Sequence, residues 1–105
     1  MTIYISGPIA HHDLAGQKRK FSLLETQLQA KGYKVINPFR NGVPDDAHWS
    51  AHMRVDIGLL LSADAIILMP GWEQSKGCKL ELDVATSIGL PVYFQYVLDH
   101  YLETY

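Results

Sequence analysis

The chain has 105 residues, 48% of them hydrophobic and 19% charged, which suits one domain over residues 1–105 built on one hydrophobic core. A net charge of −2 gives no basic footprint for duplex nucleic acid, and no apolar run approaches the length needed to cross a membrane. A single cysteine, Cys78, excludes an internal disulfide and, with no leader-like N-terminus, points to a cytoplasmic protein.

Thr2 to Ser6 alternates apolar and β-branched residues as a first strand does, and Gly7-Pro8 ends it. From about Leu14 to Lys31, Phe21, Leu24 and Leu28 recur at helical spacing, with Gly32 as the stop. Tyr33 to Asn37 reads as a second strand broken by Pro38, and Asn41 to Asp46 as a loop. Ser50 to Leu61 carries Met53, Ile57, Leu60 and Leu61 on one face, the pattern of a second helix. An apolar strand at Ala65–Met69 ends at Pro70-Gly71. A helix at Cys78–Ile88 is closed by Gly89, and a last strand runs over Pro91–Val97. The tail Leu98–Tyr105 reads as a short helix or an arm.

This β-α-β-α-β-α-β order predicts an α/β fold: a Rossmann-like, flavodoxin-like parallel sheet of four to five strands with helices on both faces. Ligands gather at the carboxyl ends of the strands in such folds. Three loops meet there: Ser6–His12, Pro38–Trp49 and Pro70–Gly77.

Two carboxylates stand out. At 100° per residue Glu81 falls at the centre of the stripe made by Val84, Ala85 and Ile88, so it faces the sheet instead of water. Burying a charge is costly, which asks for a functional reason, although an acidic residue in a first turn also complements the helix dipole. Asp56 flanks the apolar stripe of its own helix, where it is either a solvated side-chain or one turned to the rim. Two carboxylates facing one pocket are what glycosidic bond cleavage requires, one meeting the anomeric carbon and the other handling the proton.

Other residues admit a functional and a plain reading. Ser75 and Gly77 precede the Glu81 helix, where free backbone N–H groups attract anions, and Ser6-Gly7 offers a second cradle; all four also suit ordinary turns. No Walker A or GxGxxG pattern supports a nucleoside triphosphate or dinucleotide. Cys78 has a helix N-terminus but no histidine signature beside it, so it reads as an inert thiol. His48 and His52 stand four apart, a spacing that suits a metal, yet no third ligand is evident and no metal is expected. His11-His12 faces an anionic ligand or solvent, while Trp49, Trp72 and Tyr4 either stack on a base or pack in the core.

Three segments carry a resemblance. Ile3-Tyr4-Ile5-Ser6-Gly7-Pro8-Ile9, then Val55-Asp56-Ile57 followed by Ser62-Ala63-Asp64-Ala65-Ile66, then Ser75-x-Gly77-x-x-x-Glu81 followed by Ala85, Gly89 and Pro91-Val92, occur in order. Together they resemble the nucleoside 2-deoxyribosyltransferase superfamily, which includes the deoxynucleoside 5′-monophosphate N-glycosidases, over nearly the whole chain. The resemblance implies cleavage, by hydrolysis or transfer, of the N-glycosidic bond of a nucleoside or nucleoside 5′-monophosphate. It implies Glu81 as the nucleophile that forms a covalent deoxyribosyl ester, and Asp56 as the aspartate that assists departure of the base and holds the sugar. Tyr4 matches the aromatic residue that orders the site. Ser6, Gly7, Pro8, Ile9, Ser75 and Gly77 fall on substrate-binding segments, the last two at the 5′ end. The transferases tend to place an acidic residue near Ser75, and its absence favours hydrolysis.

One position departs: the hydrolases carry a phosphate-gripping arginine in the first loop, and Ala10 stands there. Lys18, Arg19, Arg54 and the neighbouring histidines are the cations available in its place. No cofactor is implied. The resemblance also implies a homodimer or higher homo-oligomer, for which Tyr93, Phe94, Tyr96, Tyr101 and Tyr105 offer apolar surface when they do not pack on their own sheet. Two other classes stay open: a nucleotide-binding or sensing module without turnover, and an accessory protein acting by protein contact.

Overall fold

The computed structural model describes residues 1–10 and 12–98. Strand β1 (Thr2–Ser6) leads to helix α1 (Leu14–Ala30), β2 (Lys34–Ile36) and a 3₁₀ turn at Pro38–Arg40. Helix α2 (Trp49–Leu61), β3 (Ala65–Leu68), a second 3₁₀ turn at Trp72–Gln74, α3 (Lys76–Ser87) and β4 (Val92–Phe94) follow. The four strands form one parallel sheet in the order β2-β1-β3-β4, with Tyr4 beside Ile36, Ser6 beside Leu68 and Ile66 beside Val92. This is the flavodoxin-like α/β fold, with α1 on one face and α2 and α3 on the other.

Strand alternation decides what each face receives. Ile3 and Ile5 of β1 and Ala65 and Ile67 of β3 point to α1 and pack with Phe21, Leu24 and Leu28. Tyr4, Ile66 and Leu68 point the other way, to Leu60, Cys78 and Ala85. Each large apolar side chain so buried contributes about 1.5–3 kcal/mol. Gly7 closes the α1 side: a Cβ there would lie 2.7 Å from Met69 Sδ and 2.8 Å from the tip of the Phe21 ring. Glycine is therefore required by contact at the point where β1 turns into its loop.

Several boundaries differ from the sequence reading, each for a reason in strand pairing or in capping. The last strand ends at Phe94 instead of Val97, because its partner β3 ends at Leu68, opposite Phe94, and the chain turns away at Pro70-Gly71. Strand β2 loses Asn37, whose side chain accepts from Phe39 N and caps the 3₁₀ turn. Helix α3 starts earlier, at Lys76, because the Ser75 hydroxyl caps it. Two expected core residues are exposed: Leu61, 100° past Leu60 in the last turn of α2, and Ile88, the residue that closes α3. The tail from residue 99 lies outside the described residues. No helix among the described residues is long and apolar enough to cross a membrane.

Candidate active site

The period of two in β1 sets the floor of the site. Tyr4 and Ser6 are both fully buried, on the face covered by α3. On α3 the buried positions Cys78, Glu81 and Ala85 recur at helical spacing, so Glu81 descends onto the same strand. Tyr4 Oη donates to Glu81 Oε2, and Ser6 Oγ donates to Oε1 at 2.8 Å. Each carboxylate oxygen thus has one donor, and the group is fixed in orientation at 5% exposure. Burial pushes the Glu81 carboxyl up to about 7, against the pull of these two hydrogen bonds and with added push from the Asp56 charge. Burial, then the nearby Glu81 and Asp56 charges, pushes the Tyr4 phenol well above its ordinary range, so it remains a donor.

A cavity of about 660 Å³ opens over Glu81. The first loop contributes Gly7, Pro8, Ile9, Ala10 and His12; the second contributes Pro38, Phe39, Asn41 and Asp45; the third contributes Gln74, Ser75, Lys76 and Gly77. All three expected rim loops meet at this opening. Helix α2 supplies Trp49, Met53 and Asp56, so Asp56 and Glu81 line the same cavity from two helices. Asp56 is 7% exposed, and burial raises its carboxyl above the ordinary carboxylate range. The hydrogen bond from Asn41 Nδ2 to its Oδ1, at 2.9 Å, and the nearby His52 act against that rise.

Of the expected substrate contacts, Tyr4, Gly7, Pro8, Ile9, Ser75 and Gly77 line the cavity. Ser6 does not: it is fully buried beneath Glu81, whose Oε1 accepts a hydrogen bond from the Ser6 hydroxyl. The Ser75 hydroxyl accepts from Cys78 N at 3.2 Å as the α3 cap, and Gly77 sits against Met53 and Trp49. Cys78 is buried, and burial pushes its thiol up despite the helix terminus. His48 caps α2 through Nδ1, and no group of three metal-ligating side chains forms among the described residues. Trp72 packs against Phe94, whereas Trp49 stands at the cavity.

The cations are placed differently from expectation. Lys18 pairs with Asp45 at 2.8 Å, and neither Arg19 nor Arg54 lines the cavity. His12 does, His11 lies outside the described residues, and Lys76 lines the mouth with its Nζ 4.2 Å over the Trp49 ring. Sequence reading missed Lys76 and Asn41. No spacing rule singles out either one, since a lysine at a helix start and an asparagine in a loop are ordinary choices. Gln17, also missed, is buried on α1 and donates to the Pro8 carbonyl, anchoring the first loop.

The fold has a solved counterpart. A 2-deoxyribosyltransferase from the psychrotolerant bacterium Bacillus psychrosaccharolyticus, described as a biocatalyst for synthesis of antiviral and antitumoral nucleosides, superposes with a TM-score of 0.70. The match covers 90% of this chain and 71% of that one at 20% identity, a likeness of fold. No curated protein matches the sequence. The family described as a domain of unknown function, DUF4406, matches residues 1–94, the span that runs from β1 through β4 and holds every residue of this site, and the chain belongs to that family.

Proposed function

We propose that the protein cleaves the N-glycosidic bond of a nucleoside or nucleoside 5′-monophosphate, by hydrolysis or transfer, with Glu81 as nucleophile and retention at C1′. The observation that carries this is a buried glutamate held at both oxygens by Tyr4 and Ser6, facing a cavity that Asp56 also lines. The fold shared with a 2-deoxyribosyltransferase supports the same reading.

In this mechanism the ionised Glu81 attacks C1′ as the C1′–N bond breaks, and the bonding pair leaves with the base. Asp56 assists by donating or relaying the proton that the base nitrogen takes up. Water, or the nitrogen of a second base, then attacks C1′, breaks the ester and returns Glu81 to its carboxylate. Tyr4 and Ser6 hold Glu81 so that no search by the carboxylate precedes attack. Ala10 lines the cavity, so no guanidinium reaches in from that position; Lys76 is the lysine that lines it, beside the imidazoles of His12, His48 and His52, and can meet a 5′-phosphate. The same reading carries a homo-oligomer, for which Tyr93 and Tyr96 are exposed at and beyond the edge strand β4.

The test is incubation of the pure protein with each deoxynucleoside, ribonucleoside and 5′-monophosphate, with chromatography for released base, beside Glu81→Ala. Base release that falls by at least about a hundredfold in the variant is the expected result. Binding with no release from any substrate would return the non-catalytic module in its place.

A further inference from the structure

Asp56 reaches its place through an asparagine and a histidine from outside the carboxylate pair. Asn41 stands directly after the 3₁₀ turn, its backbone N–H donating to the Pro38 carbonyl. Its side chain is fully committed. Nδ2 lies 2.9 Å from Asp56 Oδ1 and 3.1 Å from His52 Nδ1, and Oδ1 accepts from Val43 N at 2.9 Å. The other ring nitrogen of His52, Nε2, lies 2.9 Å from the Pro44 carbonyl oxygen. A carbonyl only accepts, so Nε2 carries the proton and Nδ1 is left as an acceptor. One amide hydrogen of Asn41 therefore goes to the histidine and the other to the aspartate.

The turn that presents Asn41 is itself tied down from the far side of the sheet. Glu25 of α1 is buried and receives Arg40 and, at 3.4 Å, Asn37 Nδ2. Asn37 in turn caps the 3₁₀ turn through Phe39 N. Turn, asparagine and aspartate form one connected set of hydrogen bonds that runs from Glu25 to Asp56 Oδ1.

We propose that Asn41 is a positioning residue for Asp56, held in register by the Nε2–H tautomer of His52, and that the pair sets how effectively Asp56 assists the departing base. This rests on the reading of Asp56 given above. Asn41 fixes Oδ1 and leaves Oδ2 free of any hydrogen bond among the described residues, in a side chain that lines the cavity. A hydrogen bond to the ionised carboxylate also holds its proton affinity down against the rise that burial imposes.

Two readouts test this. The first is independent of turnover: carboxyl ¹³C titration of Asp56 in the wild type, Asn41→Ala and His52→Ala. The Asp56 midpoint should rise by about half a unit or more in Asn41→Ala and move the same way, by less, in His52→Ala. The second compares base release from 2′-deoxyguanosine, or whichever purine substrate is turned over, with its 7-methylated form, whose base leaves without needing a proton. Asn41→Ala should lower kcat by roughly tenfold or more on the ordinary substrate and by less than about twofold on the methylated one. An equal loss on both substrates, or an Asp56 midpoint unmoved in both variants, overturns the proposal. Should Asn41→Ala fail to fold, His52→Ala decides alone. Should the wild type release no base, the glycosidase reading falls and the titration still decides the positioning.

Discussion

Glu81 is held by two opposed effects, and their balance sets when it can act. Burial favours the neutral acid, while the Tyr4 and Ser6 hydroxyls favour the anion; burial wins, leaving the carboxyl at about 7. As the proposed nucleophile Glu81 must be ionised, so under that reading base release should rise with pH through about 7 as it loses its proton. Removing one donor tips the balance further toward the acid. Tyr4→Phe should therefore move the rising limb of the pH–rate profile to higher pH by about one unit and lower the plateau roughly tenfold. A profile whose midpoint stays in place would show that Tyr4 packs against the carboxylate without tuning it.

At the scale of elements, the site depends on where helix α3 begins. Helix α3 starts at Lys76 because Ser75 offers its hydroxyl to Cys78 N, and this start brings Glu81 onto β1 one turn later. Ser75→Ala should cost about 1 kcal/mol, read as a fall in denaturation midpoint with unchanged m-value. Much of this level is legible in the sequence. The strand at Thr2–Ser6 and the turn of Glu81 toward the sheet follow from periods of 2 and 3.6, whereas its meeting with Tyr4 depends on which face of the sheet α3 covers, which neither period records. The end of β4 is less legible because a strand stops where its neighbour stops pairing, which its own residues do not record. Asn41 is illegible for a related reason. Its partners, Asp56 and His52, lie 15 and 11 residues away, and only the path of the turn between them makes the contact.

Across the whole molecule the site is a cost to stability with a defined pH window. The folded protein holds the Glu81 proton more tightly than the unfolded chain, whose carboxyl titrates near 4.5. Stability from this group is fully present below about 4.5 and is lost as pH rises through about 7. The loss is on the order of 3 kcal/mol, and the raised Asp56 carboxyl contributes in the same direction. Glu81→Gln stays neutral throughout, so its thermal midpoint should fall less between pH 5 and pH 8 and exceed that of the wild type at the upper end. Parallel curves for the two proteins would mean that Glu81 titrates alike in both states.

The mouth of the cavity is already occupied by a contact of its own, the Lys76 ammonium over the Trp49 indole. Under the proposed reading, a base that stacks on Trp49 enters by exchange: one π partner leaves as another arrives. The displaced contact is worth about 0.5–1 kcal/mol at such an exposed position, a toll of roughly two- to fivefold in Kd for a neutral ligand. An acidic ligand gives the released ammonium somewhere to go, so the same exchange weighs less against it. Under that reading, selection between charged and uncharged nucleosides is built into the resting state of the doorway.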